Sequence, residues 1–252
     1  MSAGQPSSVA AEFLVPQWPA PANVRAYTTL RHAGASLGPY ASFNLAEHVG
    51  DAPTAVSANR RQLQAALSLP SEPCWLQQVH GTTVICCNTE QRNERADAAW
   101  AAETDRVCAV LTADCLPLLV CDRPGTCVAA IHAGWRGLAD GIIEHCIRVL
   151  PAAARDLLVW LGPAIGPTRF EVGEDVYRCF VSHAREAKQA FRPSNNDRWL
   201  ADLYLLARQR LAAVGVSRVY GGQWCTSTDE DRFYSYRRDG RTGRMASLIW
   251  RT

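Results

Sequence analysis

The stretch LTADCLPLLVCDRPGTCVAAIHAGWRG, residues 111–137, constrains the fold of this chain more than any other. It is the longest apolar, cysteine-bearing block and reads as two short strands. A reactive residue stands at one end of each. Cys115, behind Thr112, Ala113 and Asp114, opens the first strand, and His132, before Ala133 and Gly134, closes the second. Both sit beside small residues and turns, where a ligand can approach the backbone closely.

Around this block strands and helices alternate. Strand-like runs cover residues 24–30, 82–87, 107–112, 117–121, 126–132, 157–161, 216–220 and 245–250. Helical patterns cover residues 137–150, 174–190 and 202–214, and a further helix follows Asp51 as N-cap with Pro53 in its first turn. The mixture predicts one α/β domain. Residues 1–20 are expected to be disordered, and residues 21–252 to form the single folded domain. The N-terminus lacks the basic region and apolar core of a signal peptide, and no run reaches the ~20 apolar residues of a membrane span.

At 252 residues, 48% hydrophobic and 20% charged, the chain can bury a core without disulfides. A formal net charge of +2 is too mild for a nucleic-acid binder. The 10 cysteines include no C-x-x-C pair, and most lie in apolar runs. They read as buried, reduced thiols of a cytoplasmic protein.

Three residues share one context: His80, Cys115 and His132, each at or near the end of a β-like run. They are too far apart for a zinc knuckle but suit a site assembled from neighbouring strands. Two imidazoles and a thiolate suit Zn²⁺, and three protein ligands leave the fourth position for water or substrate. Asp114 beside Cys115 is a candidate acid or second carboxylate, and Arg136 a candidate anion ligand. The same residues permit a metal-free reading, with Cys115 as nucleophile and His132 or His80 as base. Singly, a histidine at a strand end is more often structural, and a lone cysteine more often a buried thiol. The long polar loop RHAGASLGPYASFNL, residues 31–45, adds Arg31, His32, Ser42 and Asn44 as candidates. No two of the six histidines are two residues apart, so the His-x-His pairs of multicopper oxidases are missing.

The chain resembles a known family along nearly its whole length. The matching segments are TLRHAGASLGPYASFNL, HVGDAPTAVSANR, WLQQVHG, LTADCLPLLVCD, IHAGWRGLADGIIE, WLGPAIGP, FEVGEDV and YSYRRDGRTGRMASLIW. This is the YfiH-like or laccase-domain family, also called multi-copper polyphenol oxidoreductase or peptidoglycan-editing factor. The resemblance implies a single-domain layered α-β-β-α sandwich with mixed sheets. It also implies a Zn²⁺ held by His80, Cys115 and His132, with copper the weaker alternative. The implied activity is phosphorolysis of adenosine, inosine and methylthioadenosine, together with adenosine deamination. The partners are then a small nucleoside and phosphate, with no nucleic acid and no membrane. For the phosphate, Arg31 and Arg60 are the candidates; for the base or ribose, Asn44; for leaving-group protonation, Asp114. Other readings attached to the family are a hydrolase editing cell-wall precursor peptides, a copper polyphenol oxidase, and a non-catalytic envelope-maintenance protein. One departure is RHAG at residues 31–34, where RHGG is usual.

Overall fold

The structure, a computed structural model, describes residues 12–87 and 94–252. The expected disorder of residues 1–11 lies outside the described residues. Phe13–Leu14 is not disordered but a short strand, β1, paired antiparallel with Thr28 and Thr29. Strand β2 (Val24–Thr29) and helix α1 (Pro53–Leu67) follow. Next come β3 (Val84–Cys86), β4 (Ala98–Ala101), β5 (Cys108–Thr112), β6 (Leu116–Asp122) and β7 (Val128–Ala133). Helices α2 (Trp135–Asp140) and α3 (Ile142–Val149) lead to β8 (Leu157–Leu161) and β9 (Glu171–Val172). Helix α4 (Glu174–His183), β10 (Phe191–Pro193), β11 (Trp199–Ala201) and helix α5 (Leu203–Ala213) come after. The chain ends with β12 (Arg218–Gly221), helix α6 (Tyr236–Asp239) and β13 (Met245–Arg251).

Two sheets stack face to face. One has the order β1-β2-β13-β5, the other β12-β8-β6-β7-β4-β3, and both mix or alternate strand directions. Because side chains alternate along a strand, each sheet has two buried faces. In β6, Leu119 and Cys121 point between the sheets, where they meet Val110, Ile249 and Trp160. Leu118 and Val120 point the other way, under α3 and α5, with Ile131, Ile142 and Leu206. On the outer face of the first sheet, Leu111, Leu248 and Trp250 pack against Leu63 of α1 and against Phe43 and Leu45. The layers are therefore α-β-β-α, the architecture the motifs imply. Strands β6, β7 and β8 are buried at every position, which is why they read as unbroken apolar runs. No helix among the described residues is long and apolar enough to cross a membrane.

Several local expectations change. Asp51 does not cap α1; the N-cap is Ala52 and Pro53 takes the first turn. The Asp51 carboxylate instead accepts from Ser36 Oγ at 2.6 Å and Asn44 Nδ2 at 2.9 Å. The helix expected over residues 137–150 starts at Trp135 and breaks at Gly141, whose φ of 95° only glycine adopts readily. The helix expected over residues 174–190 ends at His183 and tightens into a 3₁₀ segment, Arg185–Ala190. In the RHAG turn, Ala33 holds a φ of 70°, so the alanine occupies a left-handed position that favours glycine. Six of the ten cysteines are buried and all ten are free thiols.

Candidate active site

The register of the six-stranded sheet brings two of the three donors together. Strands β6 and β7 pair antiparallel with Leu116 opposite Ala133 and Pro117 opposite His132. Cys115 thus falls opposite Gly134, two residues beyond His132. It lies in the bend through which the chain leaves the four-stranded sheet (β5) for the six-stranded one (β6). Asp114 in this bend has a φ of 89°.

The third donor arrives on a turn held by a carboxylate. His80 has a φ of 60°, a strained value that costs of the order of 1 kcal/mol or more. Asp97, fully buried just before β4, receives three successive backbone N–H groups from this turn. Val79 N and Gly81 N donate to Oδ2 at 3.2 and 2.7 Å, and His80 N donates to Oδ1 at 2.9 Å. Oδ1 also accepts from His132 Nδ1 at 2.8 Å. One carboxylate therefore fixes both the loop of His80 and the ring of His132. With its Nδ1–H committed, His132 turns the Nε2 lone pair to the site.

The ligand atoms of His80, Cys115 and His132 all lie within 4.8 Å of one another. Cys115 Sγ is 3.7 Å from His80 Nε2. A tetrahedral ion with Zn–S ≈ 2.3 Å and Zn–N ≈ 2.0–2.1 Å needs about 3.6 Å between those atoms. The donors fit such an ion by type, number and spacing. Among the described residues no other group of histidine, cysteine or carboxylate side chains does so.

Electrostatics support the same reading. Burial raises the Cys115 thiol, but the charge and hydrogen bond of His132 and those of His80 outweigh it, bringing it down to about 6. Burial lowers His132, but the Cys115 charge and the Asp97 hydrogen bond lift it to about 9. Each group favours the charged form of the other, thiolate and imidazolium, and a bound cation would take the place of that proton. By contrast, burial pushes Cys121, Cys127 and Cys146 up to about 12. In metal-stripped protein at pH 7, iodoacetamide is therefore expected to modify Cys115 well before those three. The rate should fall as pH drops through 6, and loading with Zn²⁺ should protect the thiol; peptide mass mapping reads all three effects.

Gly134 closes the site from above. A Cβ there would lie 2.5 Å from His80 Cδ2, 3.2 Å from Cys115 Sγ and 3.3 Å from His80 Nε2. Its φ of −63° suits any residue, so the requirement is for space alone. Gly134→Ala is expected to keep the fold but displace His80, lowering Zn²⁺ affinity by roughly 10- to 100-fold, the size seen when supporting groups of a metal site are lost. Competition with a chromophoric chelator measures it.

The donors lie in the wall of a cavity of about 620 Å³. Its apolar side includes Phe170, Val172, Ile165 and Trp135, and its polar side Gln78, His48, Arg136, Arg237 and Arg244. Tyr236, on α6 at the same cavity, is 61% exposed.

The structure brings together His80, Cys115, His132, Asp114 and Arg136 from among the residues singled out in the sequence. It does not bring Arg31, Asn44 or Arg60 into the cavity. Arg31 donates to Ala41 O and Glu230 O and lies over the Tyr234 ring at 5.0 Å. Arg60 donates to Leu45 O, pairs with Glu47 at 2.9 Å and covers the Trp75 ring at 4.3 Å. Asn44 is fully buried, and its amide is spent on Ala46, Asp51 and the backbone of Arg244. The contacts of these three hold the 31–45 loop and the residues that follow it. Asp114 reaches the cavity, but both of its oxygens accept hydrogen bonds. Thr226 Oγ1 donates to Oδ1 and Arg237 N to Oδ2, each at 2.6 Å. It ties the segment carrying α6 to the bend that holds Cys115.

Fold and donor set together define a layered α-β-β-α domain with one three-donor centre in its cavity wall. The chain belongs to the family described as multi-copper polyphenol oxidoreductase laccase, whose model matches residues 25–252. It is 54% identical over 239 residues to purine nucleoside phosphorylase PA4543 of Pseudomonas aeruginosa, covering 94% of this chain and 98% of that protein. It is 51% identical over 240 residues to purine nucleoside phosphorylase YfiH of Escherichia coli K12, covering 95% and 98%. The crystal structure of Neisseria meningitidis protein NMB0706 superposes with a TM-score of 0.92 at 48% identity, covering 95% of this chain and 98% of that one.

Proposed function

We propose that this chain is a zinc-dependent purine nucleoside phosphorylase that also deaminates adenosine. The observation that carries the reading is the His80–Cys115–His132 donor set in the wall of a nucleoside-sized cavity. The names of the relatives supply the reaction class.

Zinc held by these three residues would supply a Lewis acid with one position open to solvent or substrate. The rest falls to the chain itself. Asp97 fixes the tautomer of His132 and the approach of His80, so the donors need no rearrangement to bind. Phe170, Trp135 and Tyr236 line the cavity with aromatic surface against which a purine could pack. In phosphorolysis a phosphate oxygen bonds to the ribose C1′ as the bond from C1′ to the purine nitrogen breaks. The electron pair leaves with the base, which takes up a proton, and ribose 1-phosphate remains.

Zinc suits the donors better than the copper in the family's description. A two-histidine, one-cysteine copper site for electron transfer takes a weak axial ligand, often methionine. The chain has 2 methionines. Met245 lies in β13 and its sulfur accepts from Tyr234 N, while Met1 is outside the described residues. The thiolate–imidazolium pair of Cys115 and His132 also fits a metal-free cysteine hydrolase acting on cell-wall peptides.

The test is a product assay with adenosine, inosine and methylthioadenosine on protein of measured zinc content. Free base with ribose 1-phosphate, and ammonia from adenosine, are expected. No base and no ammonia from zinc-loaded protein would rule the reading out.

A further inference from the structure

Arginines line the cavity at four positions, 136, 198, 237 and 244. Three are engaged or open to solvent. Arg198 faces Glu171 at 3.7 Å. Arg237 donates Nη1 to Glu171 O at 2.8 Å. Arg136 is exposed and lies over the Trp135 ring at 4.4 Å.

Arg244 differs. Its Nη1 donates to Thr242 O at 2.8 Å and Gly243 O at 2.9 Å, which spends both hydrogens of that nitrogen and fixes the plane of the guanidinium. Its backbone N–H donates to Asn44 Oδ1 at 3.0 Å, anchoring it to the buried polar network. The Nε and Nη2 hydrogens have no acceptor, and the guanidinium no ion-pair partner, among the described residues. The half-buried guanidinium lies 5.9 Å from the centre of the Tyr236 ring and feels the charges of Cys115 and Asp114, but no carboxylate among the described residues reaches it as an ion pair, and an anion in the cavity would supply that partner. The Nε–Nη2 edge is the fork that grips a tetrahedral oxyanion with two parallel hydrogen bonds. Arg244 feels the charge of Cys115, and His48, another residue of this cavity, feels that of Arg244.

We infer that the free Nε–Nη2 edge of Arg244 is the seat of the inorganic phosphate consumed in phosphorolysis. The inference rests on the phosphorylase reading for its choice of ligand. It replaces Arg31 and Arg60 as phosphate ligands.

Calorimetric titration of zinc-loaded full-length protein with inorganic phosphate tests it without relying on turnover. Arg244→Gln is expected to weaken phosphate binding roughly 10- to 100-fold, the range for charge-assisted hydrogen bonds. Arg244→Lys keeps the charge without the fork and is expected to weaken it several-fold. Arg61→Gln, which removes an equal charge from an exposed position on α1, should bind as wild type. Thermal melts identify any variant that fails to fold; the lysine variant then decides. In active protein the KM for phosphate should rise while that for the nucleoside stays close to wild type. Unchanged phosphate affinity in folded Arg244→Gln or Arg244→Lys overturns the assignment, as does absence of phosphate binding by wild type. A loss confined to adenosine 5′-phosphate would give the edge to a nucleotide ester instead and also overturn it. If wild type binds phosphate through Arg244 but forms no ribose 1-phosphate, the binding site stands and the phosphorylase reading falls.

Discussion

Replacing Cys115 by alanine is expected to remove the metal and at least about a thousandfold of the phosphorolytic activity. Cys115 is the one thiol among the three proposed ligands, and the two imidazoles left behind would hold a divalent ion far more weakly. Lewis-acid assistance is worth several kcal/mol, and each 1.4 kcal/mol is a factor of ten in rate. The fold should survive. Cys115 is only partly buried, in a bend outside the packed strands, so its loss should move the melting temperature by no more than about 4 °C. Elemental analysis, turnover and a thermal melt on one preparation separate these effects. A Cys115→Ala protein that keeps stoichiometric zinc would contradict the ligand set. One that loses zinc but keeps its rate would contradict the metal's part in the reaction.

Asp97→Asn is expected to have the largest combined effect on stability and metal binding. The carboxylate accepts four hydrogen bonds, two at each oxygen. An amide of the same shape has one oxygen and one NH₂, so in either orientation two donors face two hydrogens. Each orphaned buried donor costs about 1–3 kcal/mol, which for a chain of this size lowers the melting temperature by roughly 10 °C. Zinc affinity should fall about 10- to 100-fold as the tautomer of His132 and the turn of His80 are released. Burial alone would raise the Asp97 carboxyl, but the hydrogen bond and charge of His132 and the N–H groups of Gly81 and Val79 hold it below its ordinary value. The wild-type advantage over Asp97→Asn should therefore be complete above the ordinary carboxylate pKa of about 3.9 and be lost as pH falls through the lower, folded value. Equal melting temperatures at pH 7 would show that Asp97 is not the clamp described.

The three clustered donors, His80, Cys115 and His132, drew attention in the sequence because all three stand where apolar runs meet small residues. Strand ends converge in a packed sheet, so residues with that context can meet although tens of positions separate them. Asp97 was not legible. It sits in a polar, alanine-rich stretch that reads as loop, and β4 behind it is only Ala98–Ala101. Its role depends on turning inward toward His80 and His132, which local pattern does not report. Arg31 and Asn44 in the 31–45 loop and Arg60 on α1 are polar residues whose side-chain partners, backbone carbonyls, Glu47 and Asp51, are contacts that local pattern does not report. The layers were implied by family resemblance, and buried strands such as β6 and β8 announced themselves by continuous apolar runs. The small sheet β10-β11-β9 escaped notice because its strands are two or three residues long and only partly buried.

The most direct measurement is the phosphate dependence of nucleoside cleavage by zinc-loaded protein. Adenosine is incubated with and without inorganic phosphate, and adenine and ribose 1-phosphate are quantified. Expected is one ribose 1-phosphate per adenine, with base release falling to background when phosphate is withheld. Adenine released equally without phosphate, with free ribose as the co-product, would contradict phosphorolysis.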